Sequence, residues 1–276
     1  MMAAMITGAV LDHVAVAAER QQELWLRYAG DLAGTWVAGD DGDDYEMGFL
    51  AAQVAFANGM KVEMLEPYAV EVNDFLRRFL DRSGPGPHHL TFKVPDLAAA
   101  LAAAEAAGMR PVGVNLAHEG WKEAFLHPKQ ARGVVVQLAQ SAGEWSSSPP
   151  AGLATPRTER PARLDFVAHA VASLDDGLAL FAGVLGGEEV AAGKDDDVRW
   201  VELAWPGPGR VRLLEPAADT TPVARWLDGR PGRVHHLAFS CDEPAGVPGA
   251  EVRPAGRWEV PPEANFGVRL LLGALD

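Results

Sequence analysis

The stretch "VEMLEPYAVEVNDFLRRFLDRSGPGPHHLTF" at residues 62–92 returns at residues 211–239 as "VRLLEPAADTTPVARWLDGRPGRVHHLAF". Each copy reads as an apolar strand closing on Leu-Glu-Pro, a helix, a Gly/Pro turn, and a second strand opened by His-His-Leu. Self-similarity on this scale marks a chain written twice. It continues outward: "VLDHVAVA" (10–17) matches "RLDFVAHA" (163–170), and "GVVVQLAQ" (133–140) matches "GVRLLLGA" (267–274). Between the copies lies "SAGEWSSSPPAGLATPRTERPA" (141–162), whose Ser, Pro and Gly content is that of a linker. The expected organisation is a first domain over 1–140, a linker over 141–162 and a second domain over 163–276.

Each copy divides again into two smaller units. "AVLDHVAVA" alternates with a period of two and predicts a strand. A helix follows with Leu24, Trp25, Tyr28, Ala29 and Leu32 on one stripe, then the strands "GFLAAQVAF" and "MKVEMLE". The next unit repeats the order with "HHLTFKV", the helix "DLAAALAAAEAAG", and strands around "KEAFLH" and "GVVVQLA". That helix has Asp96 placed to cap its start, Leu97, Ala100, Leu101 and Ala104 on one face, and Gly108 to stop it. The expected fold is α+β: tandem β-α-β-β-β modules, two per domain, forming curled mixed sheets with a cleft.

Composition narrows the function. The 276 residues carry a formal net charge of −14, which argues against a nucleic-acid partner and against an anionic membrane surface. No run approaches the roughly 18 uninterrupted apolar residues of a membrane span, and the start lacks a basic signal region. Cys241 is the single cysteine, so no intramolecular disulfide forms. The chain reads as cytoplasmic, acting on a small-molecule substrate or ligand, with a homodimer as one assembly open to it.

The stretches "LDHVAVA", "VEMLEP", "HHLTFKVPDLAAALAAAEAAG" and "AFLHPKQARGVVVQLAQ" resemble the vicinal oxygen chelate superfamily, which includes glyoxalase I, methylmalonyl-CoA epimerase, extradiol dioxygenases and bleomycin-resistance proteins. Over residues 10–140 the resemblance is greatest to methylmalonyl-CoA epimerase. It implies a glyoxalase-like sheet whose cleft holds a divalent metal (Co, Ni, Zn, Mn or Fe) with one ligand from each of four strands. The matching positions are His13, Glu63, His89 and Gln137. Alternation agrees: His89 shares a face with Thr91 and Lys93, whereas His88 points the other way. A Glu and a Gln inside apolar strands also need partners once buried. Epimerases of this type carry the amide on the earlier of these two strands and the carboxylate on the later; here the two are exchanged. A structural hydrogen bond would account for Gln137 equally well. His88, His127 and His169 read as hydrogen-bonded structural side chains.

The second copy departs from the pattern. Phe166 stands for His13, Arg212 for Glu63 and Leu271 for Gln137, while His236 alone answers to His89. "DEPAGVPGAE" replaces the Ala-rich helix and, with Pro244 and Pro248, predicts no regular helix. The second domain is therefore expected to lack a metal.

The function expected is a metal-dependent epimerase or isomerase that removes a proton beside a carbonyl, with Glu63 as ligand and base. Glu123 and Lys122, adjacent on one strand, are the candidates for a partner acid, and at most one of them faces the cleft. Two alternatives stand beside this: a non-haem Fe(II) ring-cleaving dioxygenase, since two His and one Glu form a facial triad, and a non-catalytic binding or resistance protein with Trp side chains lining its cleft.

Overall fold

The structure, a computed structural model, describes residues 5–40, 48–253 and 256–275. Its first sheet is built from β1 (Val10–Ala17), β2 (Thr35–Gly39), β3 (Phe49–Ala55), β4 (Lys61–Pro67), β5 (Gly86–Lys93), β6 (Val112–Asn115), β7 (Trp121–Leu126) and β8 (Val135–Ser141), in the order β2-β3-β4-β1-β5-β8-β7-β6. Its second is built from β9 (Arg163–Val171), β10 (Glu188–Lys194), β11 (Val198–Ala204), β12 (Arg210–Pro216), β13 (Gly232–Cys241), β14 (Glu251–Arg253), β15 (Arg257–Val260) and β16 (Leu270–Ala274), in the order β10-β11-β12-β9-β13-β16-β15-β14. The two orders are the same when matched strand for strand. Both sheets are open and mixed: β1–β4, β5–β8, β9–β12 and β13–β16 are parallel pairs, and each is flanked by antiparallel neighbours. The duplicated α+β architecture is the one the repeats predict.

Local sequence explains each connection. In α1 (Gln21–Trp25) and the π-helical turn Leu26–Asp31 that continues it, Leu24, Trp25, Tyr28 and Ala29 are buried, and Leu32 follows them inside. In α2 (Phe75–Ser83) Leu76 and Leu80 are buried, while Phe75 and Phe79 lean on the same core as Ala15, Ala17 and Leu65. In α3 (Leu97–Ala106) the Asp96 carboxylate accepts from the Ala99 amide at 3.1 Å, the N-cap its position predicts. The corresponding segment of the second copy forms only a 3₁₀ turn at Pro244–Gly246, as its prolines require. Strands β2 and β6 escaped individual notice in the sequence. Both are short edge strands, and every residue of β6 is exposed, so neither carries a buried alternation to read.

Two compact units can be drawn through the chain, and they interleave its halves. One contains Met1–Asp12, His89–Glu144 and Phe166–His235; the other contains His13–His88, Trp145–Asp165 and His236–Asp276. Within the first, the His169 ring meets the Arg132 carbonyl at 2.8 Å, Nε2 donating. Gly133, at φ +83°, lies so close that an added Cβ would sit 1.8 Å from the Gly232 carbonyl oxygen. Within the second, the buried Arg27 guanidinium donates to the Asn265 side-chain oxygen at 3.0 Å and to Asp31 at 2.9 Å. There Phe56 also packs edge-on against Phe239.

Two outcomes follow from these contacts. Gly133→Ala combines a positive φ with a backbone clash and is expected to lose about 2 kcal/mol or more of unfolding free energy in urea titration. Burial pushes the His169 imidazole down to about 4, against a hydrogen bond to Arg132 that works in the opposite direction. Because its folded value lies below the ordinary 6.5, the unfolded chain takes up the proton first. His169 therefore contributes its full stability above pH 6.5 and loses it as pH falls toward 4, by about 3 kcal/mol in all. In His169→Gln that part of the pH dependence is expected to vanish.

Candidate metal centre

Register, not loop structure, builds this site. On β1 and β4, Ala15 stands opposite Glu63, so His13, two residues before Ala15, projects from the same face as Glu63. His13 Nε2 lies 3.5 Å from Glu63 Oε2. On β3, Gln53 is the direct cross-strand partner of Glu63, and its Nε2 donates to Glu63 Oε1 at 3.0 Å. The carboxylate is thus gripped on one oxygen by an amide and turned with the other toward an imidazole.

Strand β5, the neighbour of β1, adds His89. A ring nitrogen of His13, a carboxylate oxygen of Glu63 and a ring nitrogen of His89 all lie within 4.8 Å of one another. Side by side, the exposures are 0% for His13, 9% for Glu63 and 6% for His89. Two imidazoles and a carboxylate that converge away from water form a donor set suited to a borderline divalent cation. The residues fit the group that the sequence reading calls for.

Gln137 lies opposite Thr91 on β8 and β5. Its Oε1 accepts from the Thr91 hydroxyl at 2.6 Å, and its Nε2 donates to Glu123 Oε2 at 2.7 Å. The Trp121 indole donates to the same Glu123 oxygen at 2.9 Å. The amide is therefore fixed at both ends in a chain of side-chain hydrogen bonds, the structural role weighed for it above; a carbonyl oxygen keeps a second lone pair for a ligand role. Of the adjacent Lys122 and Glu123, Glu123 is the one that turns to the face of Gln137.

The other histidines take structural places. His88 packs its ring 4.7 Å from Phe79 and 5.7 Å from Phe75, on the face opposite His89. His127 Nδ1 accepts from the Lys129 amide in a turn. Sequence reasoning passed over Gln53, and placed Thr91 on the face of His89 without its hydrogen bond to Gln137. The signal for Gln53 was present: an amide in the middle of "FLAAQVA" has the same need for a partner as Glu63 in its own apolar strand.

In the second sheet the same positions hold Phe166, Arg212, His236 and Leu271. Arg212 Nε and Nη2 donate to Glu202 Oε2 at 3.0 and 2.6 Å, and its guanidinium carbon lies 3.8 Å from the Phe166 ring centre and 4.4 Å from that of Trp200.

Residues 12–125 match the model of the Glyoxalase/Bleomycin resistance protein/Dioxygenase superfamily. That match lies within the N-terminal half of the chain. The chain is similar to the ethylmalonyl-CoA/methylmalonyl-CoA epimerase of Cereibacter sphaeroides, 29% identical over 134 residues that make up 47% of this chain and 96% of that protein. The fold over the whole length is shared with a hypothetical protein from Staphylococcus aureus, with a TM-score of 0.60 at 10% identity, covering 97% of this chain and 100% of that one. Methylmalonyl-CoA epimerase from Mycobacterium tuberculosis aligns with a TM-score of 0.43 at 27% identity, over 52% of this chain and 93% of its own.

Because Gln53 Nε2 donates to Glu63 Oε1, Gln53→Leu is expected to weaken divalent-metal affinity about 10- to 100-fold while leaving the cooperative melt in place. Competition titration against a chromophoric chelator reads this directly. An affinity equal to that of the natural chain would show that the amide does not orient the carboxylate.

Proposed function

We propose that this protein is a divalent-metal-dependent epimerase or isomerase that moves a proton at the carbon beside a carbonyl, with the metal held by His13, Glu63 and His89 and the amide oxygen of Gln137 as a fourth donor. The observation that carries the reading is the convergence of two imidazoles and one carboxylate from three neighbouring strands. The relation to an ethylmalonyl-CoA/methylmalonyl-CoA epimerase supports it and points to an acyl thioester as substrate class. We place the metal-bearing activity in residues 1–140, with the second domain, 163–276, free of metal.

A bound divalent ion supplies Lewis acidity toward the carbonyl oxygens of the substrate, which acidifies the proton on the adjacent carbon. The chain supplies the rest. Of the three side chains, Glu63 is the only one that can provide a negative charge. Its Oε1 accepts a hydrogen bond from Gln53, and a carboxylate so oriented is a base of the kind that takes a proton from a substrate. The three side chains are themselves buried, which limits the water that competes for that proton.

Cys241 stands outside this chemistry. It is buried, and burial pushes its thiol up to about 11, so it offers little thiolate. Among the described residues no helix is long and apolar enough to cross a membrane. We take the cytoplasm as its place of action.

The test is solvent isotope exchange. With methylmalonyl-CoA in deuterated buffer, the metal-loaded chain is expected to exchange the α-proton, and Glu63→Gln to lower the rate by about 100-fold or more. Absence of exchange from a chain shown to carry one metal would remove the epimerase assignment and leave the ion to another reaction.

A further inference from the structure

The second sheet keeps the register of the first at every position that carries a proposed ligand. β11 and β12 set Glu202 opposite Arg212, as β3 and β4 set Gln53 opposite Glu63. Ala168 stands opposite Arg212 as Ala15 stands opposite Glu63, which puts Phe166 in the place of His13. Ala238 stands opposite Leu271 as Thr91 stands opposite Gln137, which puts His236 in the place of His89. The backbone frame is intact, and one imidazole remains in it, only 6% exposed.

What differs is where the charges sit. In the first sheet the cross-strand pair is an amide and a carboxylate, with a net charge of one negative beside two imidazoles. In the second it is a carboxylate and a guanidinium, with none. The negative charge has moved one strand across, from the position of Glu63 to that of Gln53, and the chain's own cation occupies the position it left. That cation is fixed from several sides. Both Nε and Nη2 of Arg212 donate to one oxygen of Glu202, and the guanidinium carbon lies over the rings of Phe166 and Trp200. Phe166, in the place of an imidazole ligand, gives a guanidinium the flat π-face it prefers. Each of the substitutions suits an internal organic cation and disfavours an inorganic one.

We propose that the second sheet is the frame of a divalent-metal site in which the guanidinium of Arg212 stands where the metal would, so that restoring the side chains reopens it to a cation such as Co(II), Ni(II) or Zn(II). The proposal uses the reading of the first sheet only as its template for which side chains to restore. Glu202 is then a carboxylate that holds Arg212 in place, and Arg212 offsets the charge that would otherwise be buried there.

The test is made in a chain carrying His89→Ala, which breaks the donor set of the first sheet. Into it are placed Phe166→His, Arg212→Glu and Glu202→Gln. This chain is expected to retain one Co(II) or Zn(II) per molecule through gel filtration, and to lose it again when His236→Ala is added. The parent with His89→Ala alone is expected to retain none. A redesigned chain with the circular dichroism and cooperative melt of its parent, yet no retained metal, overturns the proposal.

A second variant covers a redesign that does not fold. Arg212→Glu alone, in the same background, sets a second carboxylate beside Glu202 and His236. It is expected to melt below its parent without metal and to regain several degrees with millimolar Co(II). No gain overturns the proposal, as does failure of both variants to fold with metal present, because the frame would then depend on Arg212 itself. If the natural chain holds no metal while the redesigned one does, the reading of the first sheet fails and this one stands.

Discussion

Side chains on a strand alternate between two faces, and this alternation is the constraint on which the rest of the protein depends. His13, Glu63 and His89 come from three strands far apart in sequence, and they meet only because Ala15 is registered against Glu63 and β5 lies beside β1. A slip of one residue in any of these pairings would turn a ligand to the opposite face. The flanking strands hold the register by burial. Val14, Val62, Met64, Leu90 and Phe92 are all essentially inaccessible, so moving them outward would expose a large apolar surface. The hydrophobic core and the polar site are thus two faces of one alignment.

That alignment places an anion where water is scarce, at a cost unless the anion is paired and hydrogen-bonded. The two sheets meet this demand in different ways. In the first, Gln53 gives Glu63 one hydrogen bond and His13 stands 3.5 Å from its other oxygen, an arrangement that a cation between the imidazoles would complete. In the second, the acid and its cation are both covalent parts of the chain. A duplicated protein can keep two copies of a frame and use them differently, because the frame is set by backbone pairing and apolar residues while charge is set by single side chains.

The fold was legible because its repeats fall in strands with buried alternation and in helices with marked ends, such as Asp96 and Gly108. What the sequence hid lies at the edges: β2 and β6 are short, and the outer strand β6 buries nothing. Of the site, the four proposed ligands could be picked out because each sits at a motif position in an apolar strand. The partners of those ligands could not. That Gln53 binds Glu63 and that Glu123 binds Gln137 depends on cross-strand register, which becomes readable only when the pairing of β3 with β4 and of β7 with β8 is known. Of the two candidates for a partner acid, Glu123 is brought to the polar face by its diagonal relation to Gln137. The interleaving of the two halves into compact units has no local sequence signal, since Gly133 and Gly232 announce turns and not a contact between them.

The claim on which this account rests is that the first sheet binds a divalent metal through these strands. Elemental analysis of the chain purified without an affinity tag or chelator, with His89→Ala and Glu63→Ala prepared in parallel, tests it most directly. The account predicts about one equivalent of metal in the natural chain and a loss of that metal in both folded variants. A natural chain that takes up no metal, even after incubation with Co(II), Ni(II), Zn(II) and Fe(II), would contradict it.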